Sequence, residues 1–153
     1  MIKIKKYAEF LQDIRGRVNG AFANDKQHIT GTVLSVQETS MQKKLKDMPG
    51  IYLCAGYPSC ETEIEHSDNY TEKYFCVLFL LEKINAGSWT DEQELDFYDR
   101  MQEMAEEIQE ILISDNRTCD YGFAAPKTIR VEWEYNIFGG WYGLSLGFEI
   151  KEQ

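Results

Sequence analysis

The chain has 153 residues, 43% hydrophobic and 13% aromatic, which is enough apolar material for one buried core and excludes global disorder. With 26 acidic against 16 basic residues the formal net charge is −10. That balance repels phosphate backbones and anionic lipid, so general nucleic-acid or membrane-surface binding is disfavoured.

In chain order, Met1-Ile-Lys-Ile-Lys-Lys turns polar too early for a signal peptide, and no apolar run is long enough to span a bilayer. A cytoplasmic location is therefore expected, with the four cysteines as thiols. Tyr7, Phe10, Leu11, Ile14 and Val18 recur at helical spacing, predicting an amphipathic helix closed by Asn19-Gly20. Its flanks are basic, with Lys3, Lys5, Lys6, Arg15 and Arg17. A strand is expected over 29–37 and a short helix over 39–48, stopped by Pro49-Gly50. Strands follow at Ile51–Ala55 and around Tyr74–Leu81, separated by an overlong polar loop from Gly56 to Glu72.

Thr90-Asp-Glu-Gln93 is a capping box, in which Thr and Gln reciprocally satisfy free amide donors at a helix start. The predicted helix, Thr90 to Ile113, buries Leu95, Tyr98, Met101, Ala105, Ile108 and Leu112. Its outer face holds Glu103, Glu106, Glu107 and Glu110 among other carboxylates. Beyond it, period-two alternation on both sides of Asn136–Gly140 predicts an antiparallel hairpin whose glycines supply left-handed turn positions. Core packing is expected for Trp133 and Tyr142, and more exposure for Phe138 and Trp141. Together these elements predict a single α+β domain, a mainly antiparallel sheet of four to six strands. The long acidic helix covers one face, and the first helix packs beside it or against a neighbouring copy.

The densest cluster of chemically capable side chains is Cys60, Glu61, Glu63, Glu65, His66 and Asp68. Its spacing matches no closed zinc site, so it reads as a solvated contact loop. A metal-dependent enzyme using Cys60, Glu63, His66 and Asp68, with Cys54 reaching in, is the last-ranked alternative. The two histidines, His28 and His66, have no sequence-local partner to orient them. The glycine-rich Phe138-Gly-Gly-Trp-Tyr-Gly143 lacks the strand-to-helix context of a phosphate loop. No catalytic residue, metal or cofactor is therefore expected. Acidic and basic poles on one small chain instead invite head-to-tail contact between copies.

The stretch from Tyr74–Leu81 through Thr90–Ile113 to Ile129-Arg-Val-Glu-Trp133 and Tyr142–Ile150, about half the chain, resembles the tail-terminator and head–tail completion proteins of tailed bacteriophages. The resemblance is one of element order and size. It implies a structural protein that forms rings, commonly hexameric, with tail-tube or connector proteins as partners and no catalytic residues. The alternative reading is a small acidic inhibitor of immunity type that covers a basic partner with the same acidic helix face.

Overall fold

The computed structural model describes residues 1–114, 121 and 124–151. It is α+β, with three α-helices and one six-stranded sheet: α1 (Ile4–Ala21), β1 (Ile29–Ser35), α2 (Glu38–Leu45), β2 (Ile51–Gly56), β3 (Ser59–His66), β4 (Asn69–Lys83), α3 (Asp91–Ser114), β5 (Ile129–Ile137) and β6 (Trp141–Lys151). The sheet order is β1-β2-β4-β6-β5, with β3 also paired to β4. Every pairing is antiparallel except β1 with β2, where α2 carries the chain back to start a parallel neighbour.

β4 is the spine. Its 15 residues pair with β3 along the first half and β2 along the second, while β6 lines the opposite side from Lys73 to Lys83. Its apolar run buries both faces unequally. Tyr74, Cys76, Leu78 and Leu80 point into the main core with Leu53, Leu144 and Leu146, beneath α1 and α3. On the other face α2 covers only one end, where Met41 and Leu45 pack on Cys54, Leu81 and Trp141. The rest of that face leaves Phe75 and Val77 exposed.

α1 buries all five residues of its expected stripe, and it packs beside α3 on the same side of the sheet. It runs to Ala21, one residue past the expected stop. Asn19 instead brackets the edge strand: its Nδ2 donates to the Ile29 carbonyl (3.0 Å) and its Oδ1 accepts from the Ile29 amide (2.7 Å). The capping box forms, with the Thr90 amide donating to Gln93 Oε1 (2.9 Å) and the Gln93 amide to Thr90 Oγ1 (3.2 Å). The stripe of α3 differs from the expectation at its start. Leu95 is 70% exposed and Tyr98 half-buried, and Phe97 and Met104 take the core positions. At about 3.6 residues per turn the buried line through Phe97, Met101, Met104 and Ile108 leaves Leu95 on the opposite side of the helix, and Tyr98, at the margin of that line, donates its hydroxyl to the Glu134 carbonyl of β5 (2.7 Å).

The hairpin of β5 and β6 forms, and its turn places Asn136, Phe138, Gly139 and Gly140 at positive φ. The expected burial of its tryptophans is reversed. Trp141 is 1% exposed, whereas Trp133 is 57% exposed and only leans on Tyr98. The cause is strand order: β6 lies inside the sheet with α2 over its Trp141 end, while β5 is an edge strand whose side chains are mostly exposed. Tyr142 is buried as expected.

The 56–72 stretch is not a loop. β3 and the start of β4 form a two-stranded ribbon, paired from Ser59↔Phe75 to His66↔Asn69. Among the described residues β6 pairs with β4 from Lys73 onward, so the outer part of this ribbon projects beyond the described sheet.

Candidate interaction surface

The ribbon carries the side chains that the sequence pointed to as loop contacts. Glu61, Glu63, Glu65, His66 and Asp68 are all exposed. Strand alternation sets them apart rather than together: Glu61 and Glu63 lie on one face, Cys60, Thr62 and Ile64 on the other. The Glu63 carboxylate meets Lys73 Nζ at 2.9 Å, a cross-strand pair that holds Glu63 below its ordinary range and Lys73 above its own, first through that hydrogen bond. Glu65 Oε2 accepts from Asn69 Nδ2 across the tip. Cys54 packs in the sheet against α2. Among the described residues no three of His, Cys, Asp and Glu converge on a metal-sized site. Ile64 and Tyr70 face each other across the ribbon near its tip, 70% and 60% exposed.

The two charged poles lie on the helical layer. Lys3, Lys5 and Lys6 are exposed around the first turn of α1, with Lys6 3.9 Å from Glu9. Glu103, Glu106, Glu107 and Glu110 line a shallow groove beside Phe22, at the other end of α1, about 27 Å away for an 18-residue helix. Two of the expected contact residues have structural duties as well. Arg15 donates Nε to the Ile29 carbonyl (3.0 Å) and is half-buried, and Glu103 accepts from Gln27 Nε2 (2.9 Å). Arg17 is also half-buried.

Further hollows break the surface. One, about 790 Å³, lies where α3 starts and includes His28, Trp89, Asp96 and Arg100. Its guanidinium is engaged: Arg100 donates to the Lys26 carbonyl, meets Glu82 at 3.3 Å and rests over the Phe97 ring. That arrangement ties α3 to the sheet. His28, exposed at the entry to β1, is the imidazole there. Two more hollows, each about 470 Å³, adjoin at Phe138 on the far face of the sheet. One has an apolar floor of Val36, Met41, Phe79 and Ile137 with Glu38 and Glu134 in its wall; the other is rimmed by Lys43, Lys46 and Lys83 with Asp47. Sequence reasoning did not find this pair. The available signal was the uninterrupted apolar run of β4, which needs a cover on both faces when the only short helix on that side is α2.

Buried titratable groups are confined to the core. The Tyr7 hydroxyl has no oxygen or nitrogen partner and sits by the Cys76 thiol. Burial raises Tyr7 well above its ordinary value and pushes Cys76 up to about 12. Cys54, Cys60 and Cys76 are free thiols; Cys119 lies outside the described residues.

No protein-family model matches the chain, and no curated protein matches it. Among the described residues no helix is long and apolar enough to cross a membrane.

Proposed function

We propose that this chain is a non-enzymatic structural protein that works through contacts between its own copies, in a phage tail or head–tail assembly. The observation that carries this reading is the projecting β3–β4 ribbon, a pair of strands whose apolar tip, Ile64 and Tyr70, is exposed among the described residues. A ribbon of this kind contributes little to a monomer's core, and its ordering entropy is best offset by a partner surface. The phage setting rests on the resemblance in element order alone. Portal, tube or connector proteins would be the heteromeric partners, and work in the host cytoplasm accords with the unpaired thiols.

Light scattering coupled to size exclusion, run across protein and salt concentration, tests the reading. The expected result is a concentration-dependent oligomer that salt weakens, since acidic and basic poles sit on one chain. A monomer at every concentration in low salt would overturn it.

The acidic groove of Glu103, Glu106, Glu107 and Glu110 favours a second reading, a binding module that covers a basic partner. Reversing these four charges to lysine discriminates. It abolishes a salt-sensitive heteromeric contact if that reading holds, and retained binding removes the groove from consideration.

A further inference from the structure

The two edges of the sheet are finished differently. Along β1, side chains bond the backbone: Asn19 and Arg15 hold Ile29, and Lys44 Nζ donates to the Leu34 carbonyl (2.8 Å). Among the described residues β5 pairs with no strand but β6, and one side chain bonds its backbone, the Tyr98 hydroxyl on the Glu134 carbonyl. From Ile129 to Trp133 the outward amides and carbonyls therefore form an open ladder, the arrangement that takes on a further strand. The regular stretch ends after Glu134, where the register with β6 shifts.

The side chains along that ladder are self-complementary. One face carries Ile129, Val131 and Trp133, of which Val131 is 39% and Trp133 57% exposed. The other carries Arg130 and Glu132, both exposed and 3.4 Å apart. Beside these two on β6 stand Gly147 and Ser145, which bring no competing charge.

A second copy added antiparallel about a two-fold axis normal to the sheet sets one residue opposite itself. An axis at Arg130 opposes Arg130 to Arg130, one at Glu132 opposes Glu132 to Glu132, and one at Trp133 opposes Glu132 to Glu134 twice. An axis at Ile129 runs the ladder into Pro126, which has no amide hydrogen to give. The axis at Val131 opposes Arg130 to Glu132 twice, Val131 to Val131 and Ile129 to Trp133. Opposite charges and apolar pairs directly across a ladder are favourable, and like charges there are not. That register also stops short of the Glu134 carbonyl, which Tyr98 holds.

We infer that two copies of this chain pair edge to edge through β5, antiparallel about a two-fold axis at Val131, so that their sheets run on as one. The inference deepens the self-assembly reading above and rests on it. The contact is isologous and closes at two copies, so a larger assembly built on it uses a second contact, for which the ribbon tip remains.

The test uses the whole chain carrying Cys60→Ser and Cys119→Ser, with Cys54 and Cys76 left buried. In the proposed register the two Val131 Cα atoms lie about 5 Å apart, within reach of a disulfide. By the strand rise, Glu132 lies roughly 8 Å from its own copy and Trp133 roughly 14 Å, both too far. Under a mild oxidant Val131→Cys is therefore expected to form a covalent dimer at least about tenfold faster than Glu132→Cys or Trp133→Cys. In sedimentation, Arg130→Glu alone and Glu132→Arg alone each weaken self-association by about tenfold, because the axis turns one substitution into two like-charge pairs. The double exchange restores it. These positions are exposed, so the variants keep the parent's circular dichroism and thermal midpoint. Trapping at position 131 no faster than at 132 or 133, single charge changes that associate like the parent, or a double exchange that does not restore association would overturn this contact while leaving self-assembly standing. A parent chain that stays monomeric at every protein and salt concentration would overturn both.

Discussion

Adding one methyl group at two glycines has opposite consequences in this fold. Gly143 lies in β6 between Leu81 of β4 and Glu134 of β5, with φ +156°. A Cβ built there falls 1.9 Å from the Leu80 carbonyl oxygen, 3.0 Å from its carbon and 3.2 Å from Leu81 Cα. All three are backbone atoms in the spine of the sheet, so no side chain can swing aside, and the strands must part by more than an ångström. Forced overpacking costs about 1–3 kcal/mol where side chains can yield, and a backbone clash belongs at or above the top of that range. Gly143→Ala is thus expected to destabilise by about 3 kcal/mol or more, lowering the thermal midpoint by roughly 6–12 °C for a domain of this size. Gly16 sits within α1 with nothing inside 4 Å of its Cβ position. There alanine improves helix propensity and restricts the unfolded chain, so Gly16→Ala should stabilise by about 0.5–1 kcal/mol. Thermal unfolding followed by circular dichroism, with urea midpoints at 25 °C, measures both. A Gly143→Ala variant within about 1 kcal/mol of the parent, or two shifts of the same sign, would refute the close strand approach.

The tryptophans offer a second contrast. Trp141→Ala removes a ring that is 1% exposed beneath α2 and should cost about 3–5 kcal/mol, whereas Trp133→Ala, at the sheet edge, should cost less than about 1; urea denaturation of both variants checks the ranking. Alkaline pH probes the buried Cys76 thiol. Its folded-state pKa is raised from about 9 to about 12, so its contribution is fully present below pH 9 and is lost as pH climbs toward 12. The urea midpoint should therefore fall above pH 9, by up to about 1.4 kcal/mol per pH unit for this thiol, and Cys76→Ala should flatten the decline. An alkaline limb that Cys76→Ala leaves unchanged would contradict the burial of the thiol.

Elements that bury a face were legible in the sequence, and elements that bury none were not. The Tyr7–Val18 stripe, the Thr90–Gln93 capping box and the turn across Asn136–Gly140 each leave a local signature, and each forms where expected. The β3 ribbon leaves no such trace. Glu61, Glu63 and Glu65 alternate with Cys60 and Thr62, polar on both faces, so a strand that meets solvent on each side has no hydrophobic period to detect. The exchanged burial of Trp133 and Trp141 has another origin. Both strands of a hairpin alternate in the same way, and which of them is flanked by a third strand is decided by β4, some sixty residues earlier in the chain. Leu95 was misplaced by being joined to Met101 and Ala105, although about 3.6 residues per turn sets it on the other side of the helix from Phe97, Met104 and Ile108. As for the candidate site, its glutamates could be named from sequence, but the Phe138 hollows combine residues from 35 to 141 and exist only once α2 is laid on the sheet.

The position of β6 between β4 and β5 also dictates a timetable. Leu80 finds Leu144 and Leu78 finds Leu146 across more than sixty intervening residues, and among the described residues β5 pairs with no strand other than β6. Until residues 141–151 emerge, the long edge of β4 stays open with Leu78 and Leu80 bare, and the 129–137 segment waits unpaired. Such nonlocal closure is slow, and its open intermediate is a template for wrong pairings between nascent chains. Of the described strands, β6 is both the latest in chain order and the one that the sheet cannot close without, so the interval between making β4 and making β6 is a stage of biogenesis exposed to aggregation.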